Sequence, residues 1–355
     1  MKDKIYRRLA EHLGRLPGGF PSSDTGADLR LLERLFTYEE ADLATYLTLD
    51  QETASAIAEL ADLPLAEVEQ RLVAMAHKGL IFAIQPDNGP ALYQAVPFII
   101  GIYEFQVNNL SDDLLQYLND YKSNKKQEQH VTTIPQMRTI PVDKSITAHL
   151  EALPYERVCE LVNARERFAV APCICRRRAR MTGGGCDAQE ESCLLFDEWA
   201  DYYVHSGRGR SIEFSEVMEI LTRADAANLV LQPNNSRDIA FLCLCCGCCC
   251  GILRGLQQHP KPSEVVASPF IAKLETDICL DCRTCLGRCQ MQALAVEDER
   301  VALNSDRCIG CGLCVSTCPS GALTLVRKTD DDKTQVPVDI YATWQTISKA
   351  QDERH

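Results

Sequence analysis

Nineteen of the 355 residues are cysteine, and eight of these fall into two runs of identical spacing: Cys279-x2-Cys282-x2-Cys285-x3-Cys289 and Cys308-x2-Cys311-x2-Cys314-x3-Cys318-Pro319. Each cysteine of the first run maps onto one of the second at a constant offset of 29 residues, so the segment is an internal duplication. Two-residue separations in a tight loop point successive sulfurs and backbone N–H groups inward, where N–H···S bonds stabilise a reduced iron–sulfur centre. Gly310 and Gly312 relieve crowding in the second loop. Structural zinc sites use paired C-x-x-C knuckles instead. The spacing therefore points to thiolate-held iron, and to electron transfer or sensing.

Ten further cysteines are candidate metal ligands: Cys173, Cys175, Cys186, Cys193, Cys243, Cys245, Cys246, Cys248, Cys249 and Cys250. Neighbours such as Cys245 and Cys246 cannot easily both face one small site, so a subset is expected to converge on at least one further metal or iron–sulfur centre. The alternative is a thiol-rich core, because buried cysteine behaves as a small hydrophobe. Cys159 stands apart on a helix and is expected in the core. Arg176, Arg177, Arg178, Arg180, Arg208 and Arg210 could stabilise thiolates, bind an anion, dock an acidic partner or simply be solvated. Gly183-Gly184-Gly185 gives Cys186 a flexible approach but lacks the lysine and strand context of a phosphate loop.

Across residues 270–326 the two runs resemble the bacterial dicluster ferredoxin family. The resemblance implies a βαββαβ fold of pseudo-twofold symmetry holding two [4Fe–4S] clusters. In that ligation pattern the fourth cysteine of each run crosses to the other cluster, which assigns Cys279, Cys282, Cys285 and Cys318 to one and Cys308, Cys311, Cys314 and Cys289 to the other. Gln290 stands where the pattern has proline; proline there shapes the exit of the chain and bonds no iron, so the first run should still ligate. Cys245-Cys246-Gly247 resembles the CCG modules of heterodisulfide-reductase-type proteins, though the remaining spacing departs from them. The whole chain, with its Pro172-Cys173-Ile174-Cys175-Arg176 segment, resembles a family of bacterial 4Fe–4S-binding proteins.

The elements that must position these thiols are legible in part. Thr53–Leu60 and a second helix from Leu65 to Gly79, with Val68, Leu72, Val73, Met75 and Ala76 at helical spacing, are followed by two short apolar strands around Asp87-Asn88-Gly89-Pro90. Helix, turn, helix and hairpin resemble a winged helix-turn-helix. Its second helix carries Glu67, Glu69, Arg71, His77 and Lys78, and the hairpin from Leu80 to Pro97 holds no lysine or arginine, so DNA binding is not expected and a docking or dimerisation role is. A helical stretch around Leu110–Tyr121 and a polar linker from Lys122 to His130 follow. In the middle, Phe168–Val170 reads as a strand delivering Cys173 and Cys175 at its end. Helices are expected at Tyr155–Asn163, at Leu194–His205 with Leu195, Trp199 and Val204 inward, and at Ser215–Asn228. Strands are expected at Leu229–Leu231 and Asp238–Leu244.

The expected fold is thus α+β and multidomain: a winged-helix-like domain over 1–100, a helix and linker over 101–145, a mixed α/β cysteine-rich domain over 146–267, a ferredoxin-like βαββαβ dicluster domain over 268–327 and a polar tail over 328–355 that includes Asp330–Asp332. A formal net charge of −13 repels phosphates and anionic lipid. The charged N-terminus lacks an export signal, and the longest apolar run, Ile239–Leu253, is too short to span a bilayer. A cytoplasmic location is expected, where disulfides do not account for the thiols. So many clusters favour low-oxygen metabolism.

Two functions of the first class fit: an iron–sulfur electron-transfer protein or an oxidoreductase subunit, with two [4Fe–4S] clusters, a third Fe–S cluster or other metal in the middle domain, and redox partner proteins. A redox-sensing transcriptional regulator and an accessory protein for metallocofactor assembly are the alternatives. No catalytic acid, base or nucleophile beyond thiolates is identifiable.

Overall fold

The computed structural model describes residues 2–86, 88–126, 134–147, 150–328 and 336–352. Asp87 of the expected turn, the end of the linker and Asp330–Asp332 lie outside them. The chain is mixed α and β and divides into two compact units: residues 1–136, 201–208 and 341–355 form the first, and 137–200 with 209–340 form the second.

In the first unit, α1 (Lys2–Arg15), α2 (Ala27–Leu35) and α3 (Tyr38–Ala44) come first. Ile5, Leu9 and Leu13 recur every four residues and bury one face of α1. Thr37 starts α3 through a reciprocal capping box with Glu40. Strand β1 (Glu52–Thr53), helices α4 (Ala54–Ala61) and α5 (Leu65–Lys78), and strands β2 (Phe82–Ile84) and β3 (Leu92–Gln94) follow, the strands pairing antiparallel in the order β1-β3-β2. Val68, Leu72, Met75 and Ala76 are buried, but Val73 is exposed, because the stripe they share leaves it on the far side of α5. Helices α6 (Tyr103–Phe105) and α7 (Asp112–Asn124) complete this stretch.

His12 on α1 is half-buried, and its shielded Nε2 has no hydrogen-bond partner among the described residues. Burial holds its pKa below the ordinary histidine value. The folded state therefore favours the neutral ring, and its contribution is lost as pH falls from about 6.5 through the lower folded value. Amide exchange of α1 is expected to accelerate over that window in the parent protein and not in His12→Phe; a parallel pH response in both would remove His12 as the cause.

The second unit begins with α8 (Val158–Asn163), β4 (Phe168–Pro172) and α9 (Ile174–Met181), then β5 (Glu191–Phe196), the start of α10 (Asp197–His205, whose residues from 201 on belong to the first unit), β6 (Arg210–Ile212) and α11 (Phe214–Ala226). Strands β7 (Val230–Pro233) and β8 (Phe241–Cys245) close an antiparallel five-stranded sheet of order β6-β4-β5-β8-β7. Residues 194–196 are thus strand and not the start of a helix. Leu194, Leu195 and Phe196 are all buried in the central strand, and a continuous apolar run has no period that separates strand from helix. Asp197 makes the break with a left-handed backbone, its carboxylate accepting the Glu166 and Arg167 N–H groups at 3.0 and 3.1 Å. Val204, expected inward, is exposed.

Helices α12 (Gly251–Gln258) and α13 (Pro262–Val265) lead to the duplicated segment. There β9 (Phe270–Leu274) pairs antiparallel with the later β12 (Leu323–Arg327), and β10 (Leu294–Glu297) with β11 (Arg300–Leu303). The 29-residue offset carries one 3-10 turn, Thr276–Ile278, onto another, Ser305–Arg307. Helices of the expected βαββαβ order are reduced to single turns, one of them the 3-10 turn Leu286–Arg288. In the first unit, the segment read as a polar tail forms α14 (Ile340–Asp352), which buries Trp344.

Candidate metal centres

The two cysteine runs fold into loops of the same backbone shape. Gly310 and Gly312 have φ near +71° and +72°, and at the equivalent places of the first loop Asp281 and Arg283 adopt φ of +46° and +62°. Added side chains at the glycines would collide with the Phe270 carbonyl and the Ser145 hydroxyl. Asp281 tolerates the left-handed region, and its Oδ1 accepts the Val301 N–H at 2.8 Å.

These loops part the eight cysteines into two quartets. Cys279, Cys282, Cys285 and Cys318 line one small cavity with Leu274, Val301 and Leu323. Cys289, Cys308, Cys311 and Cys314 line a second with Ala272, Ile309 and Leu313. Each quartet takes three cysteines from one run and the fourth from the other. Backbone N–H groups already reach sulfur: Ala293 to Cys289 at 3.2 Å, Ala272 to Cys308 at 3.3 Å and Leu323 to Cys318 at 3.4 Å. Four convergent thiols with N–H donors behind them fit an iron–sulfur cluster.

The quartets differ in surroundings. Burial pushes the Cys311 thiol up to about 12, whereas the Thr284 hydroxyl holds Cys282 below its ordinary value. Cys282 is exposed, beside Leu280 at 68% and Ile278 at 51% exposure. Cys289 and Cys311 instead pack against the core that contains Cys245, Cys246, Cys249 and Cys250. One quartet is outer and one inner.

Gln290 explains its own departure from the family pattern. Its Oε1 accepts the Gly247 N–H at 2.8 Å, its Nε2 donates to the Asn228 carbonyl at 2.9 Å, and its own carbonyl accepts from Gln257 Nε2 at 2.7 Å. Proline could make neither side-chain bond. A Cβ at Gly247 would lie 2.9 Å from the Gln290 carbonyl oxygen, so the approach needs glycine. Arg288 adds a second anchor, reaching the Asp225 carboxylate at 2.6 Å and the Leu313 carbonyl at 3.1 Å. The duplicated segment is thereby tied to α11 and to the cysteine-rich turn. The missing proline was the visible signal for Gln290; nothing in the spacing marked Arg288.

The remaining ten cysteines separate into two groups. Period-two alternation puts Cys243 and Cys245 on one face of β8, and Cys193 on β5 lies directly opposite Cys243. Pro172 ends β4 at a register shift, and Cys173 precedes α9, so Cys175 sits in the first helical turn and not at a strand end. Electrostatic coupling links Cys173 to Cys175, Cys175 to Cys250, Cys250 to Cys245, Cys245 to Cys243 and Cys243 to Cys193. This is a six-thiol face.

The other four form a tight group. The sulfurs of Cys186, Cys246, Cys248 and Cys249 all lie within 4.8 Å of one another. Burial works to raise the Cys186 thiol, but the Ala188 N–H and the three neighbouring cysteines bring it down to about 7. Adjacent Cys245 and Cys246 fall into different groups, whereas adjacent Cys248 and Cys249 share one. Cys159, expected in the core, is only half-buried on α8, its N–H bonded to Asp143.

Arg176 is the cation of this region. Its side chain is 1% exposed, donating to the Gln189 carbonyl at 3.0 Å, the Leu244 carbonyl at 2.7 Å and the Ser192 hydroxyl. Cys173, Cys246 and Cys245 are its electrostatic partners. Other arginines serve elsewhere: Arg177 and Arg180 pair with Glu190, and Arg210 with Glu191 and Glu216. Arg208 belongs to the first unit, where its guanidinium binds the Phe105 and His77 carbonyls.

Residues 272–325 match the family model of a 4Fe-4S dicluster domain, which implies iron–sulfur clusters in this segment. A search of curated proteins finds no match to the chain. No helix among the described residues is long and apolar enough to cross a membrane.

Proposed function

We propose that the chain is a cytoplasmic iron–sulfur electron-transfer protein, acting alone or as the electron-transfer subunit of an oxidoreductase. Cys279, Cys282, Cys285 and Cys318 hold one [4Fe–4S] cluster, and Cys289, Cys308, Cys311 and Cys314 hold the other. Each cluster, when bound, accepts and returns one electron. What supports this most is the crosswise division of the eight cysteines between two cavities, each with N–H donors aimed at sulfur. The protein's part is to order the two sites. Exposed Cys282, Leu280 and Ile278 make the outer quartet the face for a redox partner protein. Gln290 and Arg288 fix the inner quartet against the middle-region thiols, which supply a further metal centre.

The N-terminal β1-α4-α5-β2-β3 order is winged-helix-like, and its role here is protein docking. On α5, Arg71 is already paired with Glu67, and Lys78 reaches Glu40 at 2.7 Å, leaving little cationic charge for phosphates. Iron and acid-labile sulfide per chain, read with EPR of the reduced full-length protein, test the proposal. About eight irons and two interacting cluster signals are expected; about four irons or fewer after anaerobic reconstitution would overturn it.

A further inference from the structure

We propose that Cys186, Cys246, Cys248 and Cys249 form a closed, mononuclear tetrathiolate site for a single zinc ion, separate from the six-thiol face beside it. This deepens the further metal centre of the proposed function and rests on that part of it.

Sulfur spacing carries the assignment. A zinc–thiolate bond is about 2.3 Å, so four sulfurs arranged tetrahedrally around one ion stand about 3.8 Å apart. Here Cys186 lies 3.6 Å from Cys246 and 3.9 Å from Cys249, and Cys248 lies 3.7 Å from Cys249. A cubane spreads its four cysteine sulfurs wider, because they sit on irons that already stand apart from one another. The two ferredoxin-type quartets provide an internal contrast. Among the described residues, no other set of three or more Cys, His, Asp or Glu ligand atoms closes to within 4.8 Å, those quartets included.

The sequence places of the ligands fit a structural ion. Cys186 follows the Gly183-Gly184-Gly185 loop, and its partners lie at least 60 residues on, in the turn between β8 and α12. Four thiolates leave no position for water or substrate, which is the arrangement of structural zinc and not of catalytic zinc. Soft sulfur ligands in tetrahedral geometry select zinc over calcium, magnesium or manganese. The ion would pin the glycine loop to the turn that carries Gly247.

Zinc and iron should be counted together in full-length protein purified without oxygen. About one zinc per chain is expected in addition to the cluster iron. Cys248→Ser, at the exposed ligand, and Cys186→Ser should each lower zinc at least fivefold with iron unchanged, while Cys159→Ser changes neither. X-ray absorption at the zinc edge of the parent protein needs no variant to fold; it should show sulfur neighbours alone at about 2.3 Å and no metal–metal scattering. Absence of zinc, zinc that survives both substitutions, or a single iron in its place overturns the assignment. Full iron with no zinc would sink this site and leave the two-cluster proposal standing; zinc without iron would do the reverse.

Discussion

Cys318→Ser is expected to remove about half of the cluster iron, from about eight atoms to about four, and to do so from the quartet of Cys279, Cys282 and Cys285. Cys318 lies in the second run, so a ligation that stayed within each run would lose the other cluster. The cavity linings make the distinction concrete, since Cys318 faces Thr284 and Leu274 while Cys289 faces Ile309 and Leu313. Paired substitutions read it out. Adding Cys285→Ser to Cys318→Ser should cost no more iron, because the same site is already empty. Adding Cys314→Ser should take the remainder. Residues acting on one site are non-additive, and residues on separate sites add. The opposite result, with Cys314 silent and Cys285 additive, would refute the crosswise assignment. Cys289→Ser should mirror the pattern. The effect reaches packing too, because Cys285, Cys308 and Cys314 belong to the small core of this segment with Ala272, Ala293, Leu294, Val301 and Leu323.

Arg176→Met should be the most destabilising change outside the duplicated segment. It keeps apolar bulk but takes a donor from two backbone carbonyls and the Ser192 hydroxyl, and it removes the buried positive charge from beside Cys173, Cys245 and Cys246. Deleting one partner of a buried charge-assisted network costs about 3 kcal/mol or more. Arg176→Lys keeps the charge but not the fork, so it should recover part of the loss. Anaerobic urea unfolding of the second unit, followed by tryptophan fluorescence and by metal release, measures both variants. If Arg176→Met and the parent differ by less than about 1 kcal/mol, the guanidinium is not holding this region together.

What could be read from the amino-acid order follows from how local each signal is. The cysteine runs were legible because ligand, loop and repeat all lie within a few residues of each other, and the caps at Thr53 and Gly79 mark their helices for the same reason. Leu194–Phe196 misled because burial on both faces of a central strand erases the alternation that would reveal it. The alliance of Cys186 with Cys246, Cys248 and Cys249 joins two loops far apart in the chain, and no local pattern announces such a meeting. Gln290 could be recognised as an exception, but its purpose needed the position of Gly247. Arg176 shares its sequence signal with five other arginines for which thiolate, anion, partner and solvent all stay open; only the strands around it show that it is buried.

The Gln290–Gly247 hydrogen bond also joins the two proposed metal sites. Gln290 follows Cys289 of the inner quartet, and Gly247 lies between Cys246 and Cys248 of the tight thiol group. Whatever factor filling one site through this shared bond changes the affinity of the other by, filling the other must change the first by the same factor. Such reciprocity between the two proposed sites needs no ligand common to both.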